Sequence, residues 1–145
     1  MRIFLDTSSL IKLYFKEQGT SNLDKVLTDN IITKIFISEL TKVEFRSAIY
    51  KKIRKNTLTR QNASDIIDAF AADEKNYTVI LTSQDIITGA QNFIEKYGER
   101  GLRTLDAIQL STAFSVKIQI DFAISDDKLL VNFFDSENIR TTTDN

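Results

Sequence analysis

The stretch Met1-Arg2-Ile3-Phe4-Leu5-Asp6-Thr7-Ser8-Ser9-Leu10 decides the fold. Ile3, Phe4 and Leu5 form an apolar run too short for a helix and bounded by residues that favour turns and caps, which reads as a buried strand. Comparable runs recur at residues 35–37, 79–81 and 122–124, with a weaker one at 138–141. Three of the runs end in Asp, Ser or Thr and lead into segments with helical spacing. Strands that alternate with helices, and that are apolar throughout, predict an α/β fold with three layers, α/β/α, around a central parallel sheet. Ligands in such folds bind outside the carboxyl ends of the strands, at a switch in strand order. Asp6 falls at that edge, and so does the pair Asp126-Asp127 after the run at 122–124.

The helices follow from capping signals and periodicity. Ser38 is expected to cap a helix over residues 39 to about 52, with Leu40, Val43, Ala48 and Ile49 inward and Glu44 near the edge of that stripe. Thr59 opens a second helix reaching residue 75, with Ala63, Ile66, Ile67, Phe70 and Ala71 as its buried face. Thr82 or Ser83 opens a third that ends at Tyr97, with Gly98 as its left-handed stop. Thr104 caps a fourth carrying Leu105, Ile108, Leu110, Thr112 and Ala113, which puts Asp106 in its first turn, where the helix dipole favours a carboxylate.

Composition narrows the chemistry. The 145 residues suit one domain, which would bury roughly two-thirds of the surface of its unfolded chain. The domain is taken as residues 1–145, with a frayed tail from about 142. With 19 basic and 20 acidic residues, net charge selects no partner. The chain has no Cys and no His, so it has no disulfide, no thiolate or imidazole metal ligand, and neither of the usual nucleophile and base. Enzyme chemistry must then run on carboxylates, hydroxyls, lysine or arginine. No apolar run approaches the about 18 residues of a membrane span, and the amino terminus lacks a signal-peptide pattern, so a cytoplasmic protein is expected.

Four acidic positions stand out: Asp6, Glu44, Asp106 and the pair Asp126-Asp127. By the order of elements all four fall at or near one sheet edge. Converging carboxylates imply either strongly raised pKa values or a bound hard cation such as Mg²⁺ or Mn²⁺. Each also has an ordinary reading: Asp6 as a turn or cap residue, Glu44 as a solvated helix residue, Asp106 as a partner of the helix dipole, and Asp126-Asp127 as a cap. The run Lys51-Lys52-Ile53-Arg54-Lys55 either contacts phosphates or is the solvated, dipole-complementing end of a helix. Phe133-Phe134 and the stripe Leu10, Leu13, Tyr14 are read as core or as an oligomer contact.

Four motifs carry a family resemblance over nearly the whole chain: Ile3-Phe4-Leu5-Asp6-Thr7-Ser8-Ser9-Leu10; Ile37-Ser38-Glu39-Leu40 with Val43-Glu44 and Ser47-Ala48; Leu102-Arg103-Thr104-Leu105-Asp106-Ala107-Ile108-Gln109-Leu110 with Thr112-Ala113; and Ser125-Asp126-Asp127-Lys128-Leu129-Leu130. In order and spacing they resemble the PIN-domain ribonucleases, and within them the VapC-like toxins of toxin–antitoxin pairs. The resemblance implies a PIN-like fold and an Mg²⁺- or Mn²⁺-dependent endoribonuclease, the toxin of a type II pair. It also implies an RNA substrate, an antitoxin partner and a homodimer. It assigns metal binding and catalysis to Asp6, Glu44, Asp106 and Asp127; Ser125-x-Asp127 keeps the family spacing, which favours Asp127 over Asp126. The chain departs from many relatives in carrying Gln109 where they have His. Ser8 and Ser125 are expected to orient waters or ligands, and Arg46, Arg103 and the run at 51–55 to meet phosphates.

The alternatives are an RNA-processing PIN nuclease outside any toxin–antitoxin pair, and a receiver-like module that holds Mg²⁺ without cutting. The second fits less well: receivers carry paired acids after the first strand and an acceptor Asp after the third, whereas here a lone Asp6 and Thr82-Ser83 occupy those places.

Overall fold

Residues 1–142 are described in a computed structural model. Strands β1 (Arg2–Leu5), β2 (Lys34–Ser38), β3 (Thr78–Ile80) and β4 (Phe122–Ile124) pair in parallel in the order β3-β2-β1-β4. The chain first builds outward from β1 through β2 to β3, then crosses back to lay β4 on the other side of β1. That reversal is the predicted switch in strand order, and it sets the carboxyl ends of β1 and β4 side by side, with Asp6 N donating to Ile124 O at 3.2 Å.

Helices α1 (Thr7–Ile11), α2 (Thr20–Asp29), α3 (Thr41–Arg54) and α4 (Arg60–Asp73) precede β3; α5 (Gln84–Tyr97), α6 (Thr104–Ser115) and α7 (Lys128–Ser136) follow it. Side chains of a strand alternate between its faces. Ile3 and Leu5 of β1, with Ile37, Phe122 and Ile124, pack against Leu10, Leu23, Phe45, Ile49 and Phe70 from the first four helices. Phe4, Phe36 and Ala123 point the other way, into Ala90, Phe93, Leu110, Phe133 and Phe134 from the last three. Two cores on opposite faces of one sheet give the predicted three layers. Phe4 is fully buried and edge-on to Phe134 at 6.3 Å, so Phe4→Ala would cost about 3–5 kcal/mol.

Local differences from the sequence reading have definite causes. Helix α3 starts at Thr41, because Ser38 completes β2 and its Oγ accepts from Leu40 N at 3.2 Å in the turn that follows. Its inward face is Thr41, Phe45 and Ile49, set by Phe45 stacking on Phe70 with ring centroids 4.3 Å apart; Val43 is left 68% exposed. Thr59 and Ser83 do cap α4 and α5, accepting from Asn62 N and Ile86 N. Ala71 is exposed, and α4 gives way to a 3-10 turn at Glu74–Asn76. Gly98 is right-handed (φ −57°) and continues into the 3-10 turn Gly98–Arg100; the left-handed stop is Gly101 (φ 98°). Thr104 is the first residue of α6 rather than its cap, and Leu105 is half exposed. The run at 138–141 forms a single bridge, Ala123 to Thr141, instead of a strand. That bridge holds Thr141, and Thr142, the start of the expected tail, donates from N to Ala123 O at 3.4 Å; residues 143–145 lie outside the described residues. Among the described residues no helix is long and apolar enough to cross a membrane.

Candidate functional site

Asp6 follows β1 and caps α1, accepting from Ser9 N at 2.9 Å. Ser8 Oγ reaches both of its oxygens at 2.8 Å, and Ser125 Oγ donates to Oδ2 at 2.7 Å. Burial pushes its pKa up from 3.8 to about 6, against the opposing pull of these hydrogen bonds. Ser8 and Ser125, expected to orient waters or ligands, are thus turned onto Asp6 itself. Each also holds the loop after β4: Ser8 Oγ accepts from Asp126 N at 3.1 Å, and Ser125 Oγ accepts from Asp127 N at 3.0 Å.

That loop sends its two acids apart. Asp126 pairs with Lys12, whose side chain is fully buried under Gly19; Gly19 is left-handed (φ 87°), and a Cβ there would collide with the Lys12 amine. Asp127 caps α7 through Oδ1, which accepts from Leu129 N at 2.8 Å and Leu130 N at 3.2 Å. Of the two, Asp127 is the one whose charge bears on Asp106, adding to the rise in its pKa.

Glu44 lies in the first turn of α3. Its Oε1 accepts from Thr7 Oγ1 at 2.8 Å and from Gln109 Nε2 at 2.7 Å, with Thr41 Oγ1 3.2 Å from the same Gln109 nitrogen. Gln109 is buried, and its Oε1 has no hydrogen-bond partner among the described residues. Burial raises the pKa of Glu44; the two hydrogen bonds oppose that rise and the charge of Asp106 adds to it. Asp106, in the first turn of α6, is raised by burial and then by Asp127, with Arg103 pulling the other way.

The four predicted acids therefore meet at one edge of the sheet. The charge of Asp106 adds to the rise at Glu44 and that of Asp127 to the rise at Asp106, while Asp6 is linked to Asp127 through Ser125 and to Glu44 through its neighbour Thr7. Among the described residues, no three acidic side chains lie close enough to enclose an ion as they stand. Sequence reasoning passed over Thr7, Thr41 and Lys12, and treated Gln109 only as a departure from a pattern. The available signal was the polar character of Thr41 and Gln109 on otherwise inward faces.

The predicted phosphate contacts divide. Arg46 donates from Nη1 to Lys42 O at 2.8 Å, and Lys52 is held by Glu17 at 2.6 Å above the Phe15 ring. Arg103 borders Asp106, while Lys51, Arg54 and Lys55 are exposed.

A parallel α/β sheet with an acidic cleft at its strand-order switch defines a class of fold. Within that class the match is specific, for residues 3–137 fit the PIN domain model and the chain belongs to the PIN domain family. Solved structures of similar fold include FitAcB from Neisseria gonorrhoeae, with a TM-score of 0.73 at 12% identity, covering 98% of this chain and 97% of that one. VapC20 of Mycobacterium tuberculosis, described as a sarcin–ricin loop cleaving toxin, has a TM-score of 0.69 at 16% identity, covering 90% and 93%. A toxin–antitoxin complex from Klebsiella pneumoniae has a TM-score of 0.63 at 18% identity, covering 100% and 98%. No curated protein sequence matches the chain.

Proposed function

We propose that this protein is a divalent-metal-dependent endoribonuclease and the toxin of a type II toxin–antitoxin pair, working in the cytoplasm as a homodimer. The observation that carries the reading is the gathering of Asp6, Glu44, Asp106 and Asp127 at the β1/β4 switch, with three of their pKa values raised. The descriptions of VapC20 as a cleaving toxin and of the Klebsiella complex as a toxin–antitoxin assembly support it.

The donor set fits a hard cation. It is all carboxylate oxygen, in a chain without His or Cys, and burial raises the pKa values of Asp6, Glu44 and Asp106, so their ionised forms would gain from a cation. Among the described residues no three of these acids are close enough to enclose an ion, so the cation they would take is one that, like Mg²⁺, keeps several waters and binds through one or two carboxylates. Asp6, Glu44, Asp106 and Asp127 are the residues that would hold it. A divalent ion at such a site offsets charge developing on the phosphate and eases deprotonation of water. The protein's own part is positional. Ser8, Ser9 and Ser125 fix Asp6, while Thr7 and Gln109 fix Glu44. With no imidazole present, a carboxylate of the cluster not engaged with the ion would accept the proton of an attacking water.

Two measurements on wild type and Asp106→Asn test this: Mn²⁺ titration, and cleavage of structured RNA with and without EDTA. Wild type should bind Mn²⁺ at least tenfold more tightly than the variant and lose cleavage in EDTA. Equal Mn²⁺ affinity, or full cleavage in chelator, overturns the mechanism. Induced expression in a bacterial host tests the toxin role. Growth arrest with wild type but not with soluble Asp6→Ala supports it, and normal growth with both moves the protein to RNA processing.

A further inference from the structure

The solvent face of α3 carries cations that the acid cluster does not use. From Glu44, the residues Ser47, Lys51 and Arg54 follow at helical spacing, all three exposed, with the 57% exposed Tyr50 beside them. A rise of 1.5 Å per residue puts Arg54 about 15 Å from Glu44 along the axis. There the stripe enters a groove of about 450 Å³ between α3 and α4, lined by Tyr50, Ile53, Arg54, Arg60, Ser64 and Ile67.

Lys51, Arg54, Lys55 and Arg60 have no carboxylate partner among the described residues, whereas Lys42 and Lys52 of the same helix pair with Glu74 and Glu17. The dipole at the carboxyl end of α3 accounts for Lys51 and Arg54. It does not account for Arg60, the first residue of α4, where the dipole disfavours a cation. Cations gathered from two helices around an exposed aromatic ring are the arrangement that binds single-stranded nucleic acid, with phosphates on the charges and a base on the ring.

We propose that this stripe and groove form a track for a single RNA strand leaving the acid cleft, with phosphates on Lys51, Arg54 and Arg60 and a base stacked on Tyr50. The proposal rests on the ribonuclease reading above and extends it to the substrate path. It also explains the exposure of Tyr50 and the clustering of unpaired charge at the tip of the α3–α4 hairpin.

The test is fluorescence anisotropy of an end-labelled, mixed-sequence single-stranded RNA, measured in EDTA so that nothing is cut and no metal takes part. Arg54→Glu/Arg60→Glu should bind at least tenfold more weakly than wild type. Its salt dependence should fall by about 1.4 in log–log slope, since each phosphate contact on a single strand contributes about 0.7. The charge-matched control is Lys34→Glu/Lys117→Glu, at the amino end of β2 and beyond the carboxyl end of α6, far from the cleft; it should bind within twofold of wild type. Tyr50→Ala should weaken binding by about tenfold with the slope unchanged. Equal affinity of the two double variants overturns the track. Loss confined to Arg54→Glu/Arg60→Glu supports it even if Mn²⁺ titration removes the metal site, so the two readings fail separately.

Discussion

Ser125 Oγ donates to Asp6 Oδ2 at 2.7 Å and accepts from Asp127 N at 3.0 Å, so one hydroxyl ties together the carboxyl ends of β1 and β4. The contact spans 119 positions in sequence and crosses the switch in strand order. Ser125→Ala removes a bond that favours ionised Asp6 and leaves a buried carboxylate oxygen with one partner fewer, at a cost of about 1–3 kcal/mol. The pKa of Asp6 should rise further, so Mn²⁺ affinity at pH 6 should drop more than at pH 8. A thermal melt and Mn²⁺ titrations at the two pH values check this.

Asp6 also fixes the direction of a pH effect. Its pKa is 3.8 when solvated and about 6 when folded, so between these values the native state holds more protons than the unfolded chain. Stability of the metal-free protein through this group is therefore full below about pH 4 and is lost as pH rises to about 6. The difference is about 3 kcal/mol at 1.36 kcal/mol per pKa unit. Glu44 and Asp106 are raised in the same sense. Metal-free Asp6→Asn should lack this decline, and Mn²⁺ should stabilise wild type above pH 6. Urea denaturation from pH 4 to 8, with and without Mn²⁺, is the measurement; a wild-type curve that rises through pH 4–6 by the same amount as Asp6→Asn removes this assignment.

Gln109 should matter beyond its bulk. Its amide donates to Glu44 Oε1 and holds that carboxylate against Thr7 and Thr41. Gln109→Leu keeps the volume and removes the donor to a charged group, worth about 1.5–3 kcal/mol. Mn²⁺ affinity should fall about tenfold or more. Gln109→His restores a donor and should recover most of it. Equal Mn²⁺ affinity in wild type, Gln109→Leu and Gln109→His would show that Glu44 is positioned without Gln109.

The sheet was legible because each strand is a short, unbroken apolar run, and its acids were legible because they sit where those runs stop. Helix α2 was not, for although Leu23, Val26 and Leu27 stand at helical spacing and pack into the core, the stripe is short and the helix opens at Gly19 with no capping side chain. The face of α3 was misjudged because Val43 and Phe45 are both apolar, and only the stacking partner Phe70, far along the chain, decides which turns inward. The meeting of the acids depended on a topological switch that periodicity does not encode. Of the groups that orient them, Gln109 was signalled only by its polar character on an inward face, and Ser8 and Ser125 stood out in their motifs without showing that folding would turn both onto Asp6.

Asp126 and Asp127 are adjacent yet should fail in different ways when changed. Asp126 is the partner of Lys12, whose ammonium is enclosed by the chain at Gly19. Asp126→Asn strips the counter-charge from a buried cation and should destabilise the protein by a few kcal/mol, less than for a wholly buried pair because the carboxylate is half exposed. Its folded fraction should still bind Mn²⁺ within a few-fold of wild type. Asp127→Asn keeps a capping side chain at the start of α7, so its melting temperature should move little. It removes the charge that acts on Asp106, and Mn²⁺ affinity and RNA cleavage should drop at least tenfold. Lys12→Met separates the two effects. In the Asp126→Asn background it removes the uncompensated cation and should return stability toward wild type, while in the Asp127→Asn background it should restore neither metal binding nor cleavage. Melts, Mn²⁺ titration and a cleavage assay on the five proteins decide the matter: if Asp126→Asn abolishes metal binding while folded and Asp127→Asn does not, the fourth acid of the site is Asp126.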